Sequence, residues 1–584
     1  MSKENNLIFS QAEARIREEI LALIKQGLNQ DIDLDLVPFD YPPESEMGDY
    51  SVPCFLLAKP LGKNPKEIAS RLAEAIKPTE LIRAVQYSGP YLNFFVSQQN
   101  FSKLVLTEVA HSKEKYGSSK IGKGKKIMVE YFSPNTNKPL TIGHVRNICL
   151  GASIAKLLKF TGHKVIESTL YNDRGAAIAK AILGYQKWGL GQTPKEAGLK
   201  PDHLVGNFYT QFYRAEKTDK NLEAEAKKIL QAWEEDKKEV RKTWQQLTGW
   251  VLEGFKETLS KLGVKGFDEE YYESEYYNQG KEVVEKGLKK GVFVKNQDGV
   301  ILAPLERFGL PDKIVLRPDD TSLYITQDLY LAYLKNKHNL NASVYVVGSE
   351  QDLYFKQLFK ILELLGFENA RDYYHLSYGM IRLASGKIKS REGLIKGTGA
   401  DELIAELEDL AKLEVKARND LPPEEIAKRA EQIALAALKF YILVVNPKTT
   451  MIFDPKKSLA FTGRTGPYLQ YVFARINSIF TKAETKPTTC VDFSVLAEPL
   501  EFELVKILAK FPQAVTWAVK NYDPSILANY LYDLAKAFSL FYEKLPVLKA
   551  DVKIKKARLL LINDVKIVLA KGLALLGIEA PDKM

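Results

Sequence analysis

The stretch VEYFSPNTNKPLTIGHVRN, residues 129–147, most constrains what this chain can become. An apolar run, IMVEY, leads into it, and a helical pattern follows with Val145, Ile148, Ala152, Ala155 and Leu158 on one face and Gly162 as its stop. KVIESTL then reads as a second strand. A strand–helix–strand unit predicts parallel pairing and puts the intervening loop at the carboxyl edge of the sheet, where such sheets bind ligands.

The end of that loop has the chemistry of an anion site. Thr141-Ile142-Gly143-His144 stands where a helix begins, so free backbone N–H groups and the positive end of the helix dipole face the loop. Gly143 lets a flat ring or a phosphate come close to the backbone, His144 can donate to phosphate oxygens, and Lys138 adds a mobile positive charge. Taken singly, each has an ordinary explanation as a cap or a solvated side chain. Their combination points to phosphate.

The alternation resumes later, with SVYVVG as a strand, QDLYFKQLFKILELLG as a helix and YYHLSYGM as another strand. Residues from about 186 to 300 interrupt it with a pattern read as long amphipathic helices. The expected catalytic domain, residues 123–400, is therefore an α/β, Rossmann-type split parallel sheet carrying a helical insertion. Residues 1–122 read as a mixed α+β domain, with helical patterns in QAEARIREEILALIKQGL and NPKEIASRLAEAI and a strand in YLNFFV. Residues 401–584 read as an α-helical bundle. GSSKIGKGKK, between the first two domains, comes near a phosphate-binding P-loop, but Gly124 follows the lysine where Ser or Thr is needed and a strand comes next, so it reads as a linker. A basic loop, Lys387-Ile388-Lys389-Ser390-Arg391-Glu392-Gly393, would lie beyond the last parallel strand, either closing over a triphosphate or simply as a solvated turn.

Composition bears on partners and compartment. A chain of 584 residues with a formal net charge of +10 suggests a polyanionic partner, although a lysine-rich solvated surface gives the same total. Cys54, Cys149 and Cys490 are odd in number, far apart and form no CxxC, which supports neither a disulfide framework nor a metal site and favours a reducing cytoplasm. No leader or membrane span is expected, because the most apolar late stretch is broken by Asp564, Lys566 and Lys571.

Glu130 sits on a strand whose neighbours Met128, Val129 and Tyr131 suggest burial, an expensive place for an acid without a cationic partner; the alternative is an edge strand with Glu130 facing solvent. Tyr324 and Asp328 are four apart, which puts both on one face if that segment is helical, and Gln351 opens the helix after YVVGSE.

TIGH resembles the HIGH signature of class I aminoacyl-tRNA synthetases, and KIKSR resembles their KMSKS loop. The words around them, LYNDRG, TSLYITQDL, YVVGSEQDLYFKQLF, GPYLQYVFARI and the ending GLALLGIEAPDKM, are similar to the arginyl-tRNA synthetases, from about residue 45 onward. That resemblance implies ATP-dependent activation of L-arginine to an adenylate and transfer to the terminal ribose of tRNA(Arg), with Mg²⁺ accompanying ATP. It implies Glu130, Asn135, Tyr324, Asp328 and Gln351 for arginine, and Ser133, Pro134, Thr141, Gly143, His144, Lys387 and Ile388 for ATP. His144, Lys138, Lys387 and Lys389 would stabilise charge on the phosphates. The first His of HIGH is Thr141 here and the KMSKS match is degenerate, while Lys138 is thought to stand in for the missing second lysine. Residues 1–122 would contact the tRNA elbow and 401–584 the anticodon, with Tyr468, Gln470, Tyr471 and Arg475 as candidates for RNA contact, although aromatic residues at helical spacing are more often core. Monomer is a family expectation. The rival readings are a small-molecule nucleotidylyltransferase, which would not need the helical C-terminal domain, and a catalytically silent RNA-binding relative, which Thr141 and the altered loop invite.

Overall fold

The computed structural model describes residues 9–29, 38–42, 44–319, 323–383, 399–418, 421–483 and 485–584. Its centre is a five-stranded, wholly parallel sheet in the order Tyr374–Tyr378, Ala342–Gly348, Lys126–Glu130, Lys164–Tyr171, Glu269–Tyr272. The two halves expected from the sequence are thus neighbours: Tyr345 pairs with Glu130 and Val344 with Val129 across the joint. Strand order reverses there, so the chain leaves two adjacent strands in opposite directions and a crevice opens at their carboxyl ends. Asn147, buried in helix Ile142–Phe160, spans the joint, accepting from the Phe132 N–H at 2.5 Å and donating to the Val346 carbonyl at 2.5 Å.

The segment read as a helical insertion does contain long helices, Pro201–Ala215, Asn221–Glu234 and Lys238–Lys261. It also contains strand Glu269–Tyr272, which closes one edge of the central sheet. EEYY gives no apolar run, because an edge strand needs only part of its surface covered. A small antiparallel sheet, Val294–Lys295, Ile301–Ala303 and Lys313–Leu316, follows.

At the N-terminus, helix Gln11–Leu28 buries Ala12, Ile16, Ile20 and Ile24, and strand Tyr91–Val96 runs between antiparallel partners Tyr50–Pro53 and Ile82–Ser88. Gly117 to Lys125 forms turns leading directly into strand Lys126–Glu130, not a strand-to-helix phosphate loop. Beyond Gly399 the described chain is mainly helical, from Ala400–Arg418 to Val552–Leu575, with strand Met451–Phe453 paired in parallel to Ile381–Leu383.

Arg146 ties this helical region to the sheet. It is 0% exposed and donates from Nη1 to the Gly379 carbonyl at 2.7 Å and from Nη2 to those of Pro447 and Thr449, both at 2.9 Å. The N-terminal domain touches the same helices, through the Tyr116 hydroxyl on the Leu508 carbonyl at 2.9 Å and Phe101 edge-on to Phe502.

Candidate active site

A cavity of about 770 Å³ opens at the carboxyl ends of the central strands. Glu130, Ser133, Asn135, Tyr324, Asp328 and Gln351, far apart in sequence, all line it. Glu130 comes from the end of its strand, while Tyr324 and Asp328 share a face of helix Tyr324–Asn336 as their spacing requires. Gln351 ends the turn Ser349–Gln351 after strand Ala342–Gly348. Tyr324 stands at the mouth, 76% exposed, whereas Glu130 is 5% exposed at the base. Asn135 is held at the rim by a bridge to Asn172, the residue after strand Lys164–Tyr171.

Burial of Glu130 is as expected, and the chain itself supplies a cation for it. Lys335 Nζ lies 2.5 Å from Glu130 Oε2, with Lys335 only 1% exposed and its ammonium 4.2 Å from the centre of the Tyr345 ring. Two further acids therefore carry much of the remaining negative character. Asp328 accepts the Tyr354 hydroxyl, and burial, with the nearby Glu130 charge, pushes its pKa up to about 6. Glu273 lines the same cavity, and burial pushes it up to about 7 against the pull of Arg174, whose Nη1 is 3.8 Å away. Sequence reasoning missed Glu273, Tyr276, Lys335 and Tyr354. Glu273 and Tyr276 follow the unrecognised edge strand, while Lys335 was legible as lying seven residues, two helical turns, beyond Asp328.

The other half of the site is the head of helix Ile142–Phe160. The Thr141 N–H donates to His144 Nδ1 at 3.0 Å, so a neutral ring carries its proton on Nε2 and presents a donor. Burial, then the charge of Lys138, lowers the His144 pKa to about 4, which keeps the ring neutral near pH 7. Ser133 is exposed and Pro134 buried on the loop joining the cavity to this helix. A Cβ on Gly143 would meet nothing nearer than Thr141 Oγ1 at 3.5 Å, so the glycine leaves the helix terminus open to a ligand instead of relieving a clash. Lys387, Ile388 and Lys389 lie outside the described residues.

Of the RNA candidates on helix Gly466–Ala483, Gln470 is corrected. It is 0% exposed and its amide is committed to the carbonyls of Gln432 and Glu579, at 3.2 and 2.9 Å, because its helix face is core. Tyr468 is half-buried and bonded to Ser539, and Tyr471 and Arg475, also half-buried, pair with each other, Arg475 lying over Tyr542 as well. Asp202, His203 and Asp401 come close enough together to suggest a cation site, but Lys200 Nζ already stands 3.4 Å from Asp202 and 2.9 Å from Asp401.

Residues 105–455 match the family described as tRNA synthetases class I (R), catalytic domain, which accounts for a parallel sheet opening at its switch point beside a TIGH turn and makes the chain a class I aminoacyl-tRNA ligase. Residues 11–96 match the arginyl tRNA synthetase N terminal domain, and 469–584 the DALR anticodon binding domain. The chain belongs to the arginyl-tRNA synthetase family. It is 43% identical to an arginine–tRNA ligase of Treponema denticola over 94% of this chain and 95% of that one, and 36% identical to that of Parabacteroides distasonis over 98% and 100%. The arginyl-tRNA synthetase structure of Thermus thermophilus superposes with a TM-score of 0.83 at 26% identity, covering 97% of this chain and all of the other.

Proposed function

We propose that the chain joins L-arginine to tRNA(Arg) at the expense of ATP, with arginine in the acid-lined cavity and the nucleotide over the head of helix Ile142–Phe160. The observation that carries this is one loop. It runs from Glu130 at the base of the cavity, past Ser133 and Asn135, to Lys138 and the Thr141–His144 turn, so one short segment serves both reactants.

A guanidinium is planar, permanently charged and rich in donors, so it is matched by acceptors set around it. Asp328 and Glu273 supply them, Glu130 and Lys335 shape the base as a fixed pair, and Asn135 and Gln351 at the rim face the amino-acid end. In the first step a carboxylate oxygen of arginine forms a bond to the α-phosphorus as the bond to the bridging oxygen breaks and pyrophosphate leaves. In the second, a ribose hydroxyl of the tRNA terminus attacks the acyl carbon, loses its proton, and AMP departs. The chain's part is alignment and donation to phosphate oxygens by His144 Nε2, Lys138 and the helix N–H groups, together with Lys387 and Lys389. Glu402 lines the cavity beside Lys138 and Thr141, so Mg²⁺ would be held chiefly by the phosphates and water with one carboxylate nearby, supplying charge neutralisation. Residues 1–122 and 401–584 are read as the tRNA-binding domains, with Tyr471, Arg475 and Tyr468 as contacts. Among the described residues no helix is long and apolar enough to cross a membrane, and with Cys54 and Cys149 buried and free, action in the cytoplasm is the reading that fits.

The test is charging of total tRNA with labelled arginine, ATP and Mg²⁺, in which His144→Ala is expected to slow adenylate formation by on the order of 3 kcal/mol of transition-state stabilisation. Folded protein that charges no arginine acceptor would overturn the reading.

A further inference from the structure

Within the insertion, helix Pro201–Ala215 meets the phosphate side of the site through a few specific contacts. Gly206 on that helix lies under the loop: a Cβ there would come within 2.4 Å of Pro139 Cδ and 3.4 Å of Lys138 Cα. One turn earlier, His203 Nε2 lies 2.8 Å from Asp401 Oδ2, and Lys200 Nζ lies 2.9 Å from the same oxygen. Thr258, on helix Lys238–Lys261, donates to Asp401 Oδ1 at 2.9 Å. Asp401 is thus grasped by two helices of the insertion, and it opens the helical region that follows the sheet. The residues just before it are joined to the signature turn, with the Ala400 N–H on the Leu140 carbonyl at 2.9 Å and Gly399 bridged antiparallel to Thr141. A cavity of about 220 Å³, lined among others by Lys138, Thr141, His203, Tyr209 and Arg214, separates loop and helix between these ties. The close seat of Pro139 on Gly206, together with these ties, therefore sets the height of the loop there.

We propose that helix Pro201–Ala215 is the template that positions Lys138 and the Thr141–His144 turn for the phosphates, with Gly206, His203 and Asp401 as positioning residues. This helix of the insertion then has a role in the first chemical step without touching substrate. Charge supports the geometry: hydrogen bonds from His203, Lys200 and Thr258, with the Lys200 charge, hold the Asp401 carboxyl well below the usual range despite burial, and Asp401 with Asp202 raises His203. Both ends of the tie are strongest in their charged forms. Holding a reacting group within a fraction of an ångström is worth large rate factors, so small displacements are costly.

This rests on the assignment of Lys138, Thr141 and His144 to the phosphate side, and the experiment separates the two. Single-turnover adenylate formation and the KM values for ATP and arginine are measured in the full chain for Asp401→Asn, His203→Ala, Gly206→Ala and His144→Ala, with tRNA present. The expected result is adenylate formation slowed about tenfold or more in the three distal variants, with the arginine KM within about twofold of the parent. His203→Gln, which keeps a donor, should recover part of the loss. If His144→Ala slows the step while Asp401→Asn and His203→Ala, folded by melting temperature, leave it unchanged, the template role is overturned. A rise in arginine KM parallel to the loss of rate also overturns it, because that marks general loosening of the fold. If His144→Ala itself has no effect, the underlying assignment fails instead. Should Gly206→Ala not fold, Asp401→Asn and His203→Ala still decide.

Discussion

Asp328 and Glu273 are the acids whose charge state governs the cavity. Burial raises them to about 6 and about 7, whereas in an unfolded chain they would lose their protons near 3.8 and 4.5. A carboxyl whose folded pKa is raised costs stability as pH climbs from its unfolded value to its folded value, and the cost stays above that window. For the empty cavity the window runs from about 4 to about 7. A guanidinium needs the ionised forms, so it relieves the penalty where the penalty is present. The expectation is that the arginine KM rises as pH falls from 8 towards 5.5, and that the gain in melting temperature given by saturating arginine grows over the same range in reverse. Calorimetry with and without arginine checks it, and a gain independent of pH would sink the reading.

At the scale of elements, helix Ile142–Phe160 carries the site at its first turn and the weld to the helical region two residues later. Arg146 answers to backbone carbonyls on two separate segments, Gly379 and Met380 on one, Pro447 and Thr449 on the other. Arg146→Met takes the guanidinium donor from the buried Gly379 and Thr449 carbonyls, while those of Pro447 and Met380 keep the N–H groups of Gly379 and Met451, an expected loss on the order of 2 kcal/mol in urea unfolding. Arg146→Lys, with one branch where the guanidinium has two, is expected to recover less than half of it. Why some elements were legible and others were not follows from burial pattern. Helix Gln11–Leu28 announced itself because its apolar residues repeat at the helical spacing a buried face demands, and strand Tyr91–Val96 because it is a short apolar run covered on both faces. Strand Glu269–Tyr272 stayed hidden because it is short, charged and at an edge, and with it went Glu273 and Tyr276. Gln470 was misjudged for the opposite reason: a polar side chain on a core face satisfied by carbonyls from elsewhere in the fold looks, in sequence, like a surface group.

For the whole molecule, the formal net charge of +10 sets how it meets a polyanion. The N-terminal domain and the C-terminal helices are packed together, with Lys506 Nζ 3.6 Å from Asp49 and the Lys510 ammonium 4.1 Å from the centre of the Tyr41 ring, so both regions proposed to bind tRNA belong to one surface frame. Association dominated by phosphate contacts weakens steeply with salt, while a substrate enclosed in a cavity is shielded from it. Raising potassium chloride from about 50 to about 200 mM is expected to raise the KM for tRNA about tenfold or more and to move the KM for arginine less than twofold. Charging kinetics at the two salt concentrations would show it; equal shifts in both constants would count against the division of labour.

The Glu130–Lys335 pair has a consequence for which ions the cleft admits. With its deepest carboxylate already occupied by an ammonium from helix Tyr324–Asn336, the cleft has no vacancy there for a small spherical ion such as sodium or potassium. What stays open is flanked by tyrosines and rimmed by amides, a slot proportioned for something flat. At the Glu130 carboxylate, selectivity against common salts is therefore settled before any amino acid arrives, and Asp328 and Glu273 are the acids left for that flat cation to meet.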